Sequence, residues 1–328
     1  MRSFGKVFCL SLLSVSLLAG SAQARTVNGC KIKHHTSCHH KDLHGQDLHG
    51  AVLHHSVLHH INLRKANLRG ADLSYADLRE ADLRGADLRG ANLKGAQLHY
   101  YTAPKKKGAR TSATPACAPN CQGADLSNTN LYGAFLFYAN LTNANLSNAN
   151  LTNANLYGAG LLGADLSNAN LTNADMVAAN LTSTNLISAI LTSADLTRAN
   201  LTSQNLTSQN LLQANLSYAN LSNANLTYAN MVAANLNYAN LTNANLYSAG
   251  LDNANLTRAN LTSANLTYAN LTSANLNYAN LTNANLYGAV MYNNPNMAGA
   301  NVTGATGCST VLPAGFYGPS GWFDGCAN

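Results

Sequence analysis

The sequence predicts an all-β solenoid in two repeat blocks separated by a loop insertion. Three observations predict it. Leucine, or in places methionine or valine, returns at every fifth position from Leu43 to Leu98 and again from Leu126 to Met291. A period of five matches neither the 3.6 of an α-helix nor the alternation of a long strand, so it marks short stacked units. Alanine two residues before most of these leucines shares their side of a short extended segment, and the Asn, Asp, Gly and Ser around the pair suit tight corners.

Residues 1–24 read as a secretory signal. Arg2 and Lys6 precede an apolar run from Val7 to Leu18, and Ala22-Gln23-Ala24 offers small residues for cleavage. Ser21 stands where a lipidated Cys would be needed, so a free secreted or periplasmic protein is expected, with no later membrane span. Recurrent Asn-Leu-Thr triplets would attract glycans in a eukaryotic secretory route, which favours a bacterial source.

Residues 25–37 form a Cys/His-rich N-terminal segment, and 38–100 a His/Arg-rich block with twelve central leucines. Residues 101–122 break the repeat with Pro104, Pro115 and Pro119 and a basic run, which predicts a looped-out insertion. Residues 123–303 form an Asn/Thr-rich block with thirty-four central positions up to Met291, extended by Met297 and Val302 after a one-residue slip at Pro295. Residues 304–328 read as an aromatic cap holding Phe316, Tyr317, Trp322 and Phe323. A solenoid needs such caps because its open ends expose core and unpaired strand edges.

Once Cys9 leaves with the signal, six cysteines remain in local pairs: Cys30 with Cys38, Cys117 with Cys121, and Cys308 with Cys326. An even count in an exported chain predicts three disulfides.

Units such as Ala71-Asp72-Leu73-Ser74-Tyr75 and Ala149-Asn150-Leu151-Thr152-Asn153 resemble the pentapeptide-repeat family. The resemblance implies a right-handed quadrilateral β-helix with four units per coil, so residues twenty apart stack in columns. Forty-eight units would then build twelve coils and a rod about 55 to 60 Å long at the usual strand separation. Quinolone-resistance members of the family resemble B-form DNA and bind gyrase. That role calls for an acidic cytoplasmic rod, whereas this chain carries a net charge of +6 and a signal-like N-terminus, so gyrase is not the expected partner.

Four surface features are candidates for function. On a twenty-residue coil His34 stacks under His54, His35 under His55, His39 under His59 and His40 under His60, one strand spacing apart, a pattern that suits Zn, Cu or Ni. The alternative is a polar, titratable surface. Residues 25–111 hold fifteen Lys and Arg against seven Asp and Glu. Arg64, Arg69, Arg79, Arg84 and Arg89, with Lys105, Lys106 and Lys107, are candidate contacts for an anionic envelope polymer, the alternative being simple solubility.

Arg198, Tyr218, Tyr238, Arg258 and Tyr278 form a third column, read as surface stiffening or a sugar-binding groove. A Thr/Asn wall, with Thr182, Thr202 and Thr242 beside Asn180, Asn200 and Asn240, is the fourth, with ice or polysaccharide as its conceivable ligand. Gln204 and Gln209 interrupt the inward alanines and need buried partners. No catalytic constellation stands out, so the expected function is a non-enzymatic rod offering its walls to a protein or envelope partner.

Overall fold

The structure is a computed structural model that describes residues 25–98, 120–293 and 295–307. Parallel bridges join each unit to the unit twenty residues later, from Ser37↔Val57 through Asn270↔Val290, so four units make one coil with four walls. The central leucines and the alanines two before them are buried along the whole axis, Leu73 and Ala71 both to 0% exposure. Burying each leucine contributes roughly 1.5–3 kcal/mol, and adding coils lengthens the core without widening it.

Within a regular unit the five backbone N–H groups follow one pattern, and the unit centred on Leu181 shows four of them. Thr184 N donates to Leu181 O across a β-turn, 3.1 Å, whose third residue, Ser183, has φ 56°. The central amide donates to the next coil, as Leu181 N does to Asn200 O. The residue before it donates to the previous coil, as Asn180 N does to Ala159 O. A fourth amide is held by a side chain, Thr182 N donating to Asn180 Oδ1 at 3.1 Å, and the fifth, at the corner, donates to the next coil in regular units, as Ser203 N does to Ser222 O. Asn and Asp before the leucine therefore serve chiefly as acceptors for the amide two residues on, while the positive-φ corner is the second residue after the leucine. That corner accepts Tyr138, Arg198 and His55 as well as Asn and Gly.

The coil opens with a small antiparallel hairpin. Strand β1 (Arg25–Val27) pairs with β2 (Cys30–Ile32), and a disulfide joins Cys30 to Cys38. Cys38 occupies a central core position one unit before Leu43, and Ser37 already pairs with Val57, so the coil starts inside the segment assigned to residues 25–37.

Two irregularities pass through the wall without changing which columns face one another. Asp82 pairs with Asn120, Asn92 with Asn130 and Gln97 with Phe135, a separation of thirty-eight in place of twenty. The ladder of the first block thus runs directly into that of the second. This corrects the insertion's end: Asn120, Cys121 and Gln122 belong to the wall, and Cys121 fills a leucine's place at 0% exposure with a free thiol. Cys117, the partner expected for it, lies outside the described residues, as do residues 1–24, Lys105 to Lys107 and the aromatic segment with Cys308 and Cys326. The second irregularity is the slip near Pro295, after which Asn275 pairs with Asn296 and Asn285 with Thr306, twenty-one apart. Residues 304–307 therefore continue the wall that the sequence assigned to the cap.

Gln204 and Gln209 replace inward alanines, and each is buried. Gln204 Nε2 donates to Leu181 O and Gln209 Nε2 to Ala189 O, so both amides bond the wall backbone. With Thr184 also turned inward, the rung expected between Asn185 and Asn205 is missing from the otherwise regular ladder of that wall.

Candidate functional site

Eight histidines fall on two adjacent walls of the first coils, at the two outward positions that follow the central residue. The rings of His34 and His54 stack at 5.3 Å, His35 and His55 at 5.2 Å, His39 and His59 at 5.0 Å, and His40 and His60 at 4.6 Å. His35, His40, His55 and His60 occupy positive-φ corners, so neighbouring columns meet edge to face, as His35 and His54 do at 5.8 Å and 82°. One ring nitrogen from each of His34, His35 and His54 lies within 4.8 Å of the others.

Two carboxylates join this wall that the sequence reading did not assign to it. Asp72 Oδ2 lies 3.2 Å from His54 Nδ1, and Asp72 Oδ1 accepts from Ser74 N and Ser74 Oγ. Partial burial raises the Asp72 carboxyl, but the Ser74 hydrogen bonds and His54 outweigh it and hold it below the usual range. Glu80 Oε2 lies 3.0 Å from His60 Nδ1. Its signal was readable, since Glu80 follows His60 by one coil in the same column. Loss of water contact lowers His35, and its neighbours His55, His34 and His54 add to the effect. His59 is lowered by burial, with His60, His39 and Arg79 assisting against the opposing pull of Asp77. Tyr75 continues the His35 and His55 column, stacked on His55 at 5.0 Å.

The arginines are less available than their columns suggest. Arg79 grips Asp77 through Nε at 2.6 Å and Nη2 at 2.5 Å, and Arg84 and Arg89 grip Asp82 and Asp87 through Nε at 2.8 Å in each case. Arg89 also faces Asp125 at 3.4 Å. The residues before and after the central leucine point to the same side of a short extended segment, so each Asp-Leu-Arg triplet closes on itself. Arg64 stands 4.0 Å from Asp82, with its Nε buried and without a hydrogen-bond partner. Arg69 lies in the column of Arg89 and adds its field to Asp87.

Aromatic groups occupy two other stretches. Tyr218 and Tyr238 stack at 4.8 Å, Arg198 lies over Tyr218 at 5.7 Å, and Arg258 sits between Tyr238 and Tyr278 at 5.4 and 5.5 Å. On another wall Tyr228, Tyr247, Tyr268 and Tyr287 interlock edge to face at 5.7–5.8 Å. Tyr278 is 62% exposed.

The Thr/Asn wall is bonded within itself. Thr202 Oγ1 donates to Asn200 Oδ1 at 2.7 Å and accepts from Asn220 Nδ2 at 2.8 Å, and Thr242 and Thr262 repeat both contacts. Each such hydroxyl has spent its proton and one lone pair on the protein, which leaves little with which to template water. A concavity of about 480 Å³ at the N-terminal end is lined by Arg25, Lys33, His34 and His49 among apolar residues, and no carboxylate or hydroxyl side chain lines it.

The sequence profile described as Pentapeptide repeats (8 copies) matches overlapping windows at residues 47–85, 61–99, 120–156, 136–173, 164–202, 214–253, 224–267, 254–293 and 269–306. The chain belongs to the pentapeptide-repeat family. The four-walled coil is accordingly the right-handed quadrilateral β-helix of that family. Among solved structures it is similar to HetL, a pentapeptide repeat protein involved in heterocyst differentiation regulation in the cyanobacterium Nostoc sp. strain PCC 7120, with 29% identity over 86% of this chain and 92% of that one and a TM-score of 0.22. A pentapeptide repeat protein of the Arabidopsis thaliana thylakoid lumen shares 31% identity over 35% of this chain and 72% of its own, with a TM-score of 0.15. QnrB1, a plasmid-mediated fluoroquinolone resistance protein, shares 17% identity over 83% and 93%, with a TM-score of 0.21. No curated protein matches the chain significantly. The pentapeptide-repeat family is in general one of non-enzymatic interaction proteins.

Proposed function

We propose that this pentapeptide-repeat protein is an exported, non-enzymatic rod that binds a protein partner through its walls. The reading rests on one observation: a core filled by Leu and Ala leaves the outward columns as the chemistry-bearing surface, and those columns align Tyr218, Tyr238, Arg258 and Tyr278 on a rigid corner. Tyrosine and arginine are the residues that most often anchor protein interfaces. A protein is favoured over an anionic polymer because Arg79, Arg84 and Arg89 already hold Asp77, Asp82 and Asp87. Export rests on residues 1–24, with cleavage near Ala24.

The test has two parts. Fractionation with mass analysis of the N-terminus is expected to find the protein outside the cytoplasm, beginning near Arg25; an intact Met1 in the cytosol overturns export. Capture from envelope extracts is expected to survive about 0.5 M salt, where surface electrostatics are screened. It is expected to fail for the triple variant Tyr218→Asn, Tyr238→Asn, Tyr278→Asn, which keeps residues that other corners use. Capture indifferent to these tyrosines and abolished by salt would point to an anionic polymer instead.

A further inference from the structure

We propose that His34, His35 and His54 form a surface site for a divalent late transition-metal ion, with Asp72 as the positioning acceptor that orients His54. Three neutral imidazoles without thiolate suit Zn(II), Cu(II) or Ni(II) and are poor ligands for Mg(II), which takes oxygen. Among the described residues this trio alone brings three His, Cys or acidic groups with ligand atoms within 4.8 Å of one another. A metal–nitrogen distance of about 2.0–2.1 Å requires ligand nitrogens somewhat closer than that. Small rotations of the exposed His34 and His35 rings provide the difference.

The Asp72 contact assigns the nitrogen that His54 offers. Its Nδ1 lies 3.2 Å from Asp72 Oδ2, and Asp72 is itself fixed by Ser74 N, Ser74 Oγ and Asn92 Nδ2. With the Nδ1 proton donated to a carboxylate, the lone pair of Nε2 is left for the metal, the arrangement that carboxylates impose on metal-binding histidines. Two of the three ligands come from one unit and the third from the next coil. The ion would therefore bridge two coils at the hairpin end of the rod, near the Cys30–Cys38 disulfide.

The adjacent quartet is the internal control. His39, His40, His59 and His60 stack in the same way, and His60 Nδ1 meets Glu80 at 3.0 Å much as His54 Nδ1 meets Asp72, so the carboxylate contact does not by itself distinguish the two groups. No three of their nitrogens meet the separation that the first trio meets.

Calorimetric titration of the purified protein with Zn(II), Cu(II), Ni(II) and Mg(II) tests the site. One-to-one binding of at least one of the first three, and none of Mg(II), is expected. The variant His34→Thr, His35→Asn, His54→Thr uses residues found at equivalent positions elsewhere in the chain, and it is expected to lose at least tenfold in affinity with its far-ultraviolet spectrum unchanged. His39→Thr, His40→Asn, His60→Asn is expected to bind as the parent does. Asp72→Asn is expected to weaken binding by about tenfold. It should also alter the nitrogen hyperfine pattern of bound Cu(II), a signature that a purely structural carboxylate would leave unchanged. Absence of binding by all three late metals, or equal losses in the two triple variants, overturns the proposal.

Discussion

The ring of Tyr138 lies over Gly158, one coil further on, so closely that a Cβ on the glycine would fall 2.5 Å from Cε1 and 2.6 Å from Cδ1. Tyr75 and Gly95, Tyr268 and Gly288, and Tyr278 and Gly299 repeat the arrangement. At these corners the glycine makes room for the aromatic ring below as well as adopting positive φ. Gly158→Ala is therefore expected to destabilise more than Gly133→Ala, whose corner has φ 61° and open space around it. The second substitution should cost only the positive-φ term, about 1–2 kcal/mol. In a Tyr138→Ala background the two should converge, as a double-mutant cycle on denaturation midpoints would show. Equal effects in the parent would mean that the ring yields without cost.

Gln204→Ala together with Gln209→Ala is expected to raise the melting temperature. Both amides sit where other coils place alanine, and the missing rung between Asn185 and Asn205 lies beside them. Leu181 O keeps its bond from Thr184 N in the variant, while Ala189 O, which accepts from Gln209 Nε2, is expected to regain the Asn210 amide that its equivalents Ala179 O and Ala199 O take from Asn200 and Asn220. The gain should be about 1 kcal/mol, with slower amide exchange at Asn205. A lower melting temperature would show that the amides bind the two coils together.

Acid should weaken the first block selectively. Partial burial pushes the carboxyls of Asp77 and Asp82 up, yet hydrogen bonds from Arg79 and Arg84 outweigh it and hold both below the ordinary 3.8; for Asp87 the hydrogen bond from Arg89 is the leading cause. A carboxylate depressed on folding adds stability above its unfolded pKa and loses it as pH falls through the folded value. The loss should thus begin below about pH 4. Because these groups are partly exposed, solvent screens every pair, and those of Asp77 and Asp82 are each worth less than about 1 kcal/mol. Arg84→Met should be less stable than the parent at pH 7 and indistinguishable from it near pH 2. A constant difference across that range would rule out the ion pair as its source.

Cys121 is expected to resist alkylation in the native protein. Burial, reinforced by the nearby charge of Asp82, pushes its thiol up to about 12, and the sulfur occupies a leucine's place in the core. At pH 8 only about one thiol in ten thousand is ionised, and reagent has no access to it. Unfolding without reductant should release it for labelling. A peptide mass showing Cys117 joined to Cys121 would contradict the free thiol.

The parts of the molecule legible in the sequence were those governed by the period. Leu and Ala announce the core because only they repeat at the inward positions, and the His columns follow from a coil of twenty. Contacts between adjacent positions were harder to read. Asp-Leu-Arg looks like a charged surface, and only an extended backbone brings the two charges together as Asp82 and Arg84 show. Cys121 reads as the end of the insertion because the stretch before it lacks the repeat and holds Pro104, Pro115 and Pro119, although it stands five residues before Leu126. The role of Asn before leucine is hidden for a related reason: composition does not distinguish a corner-former from an acceptor for a stranded amide.

Because Asp82 meets Asn120 with the same register that joins Asn62 to Asp82, the stack accommodates extra chain between Leu98 and Asn120 without losing phase. A lineage built this way can splice foreign loops between walls and keep every column aligned, so new binding elements can be grafted onto a standing tower without rebuilding its interior.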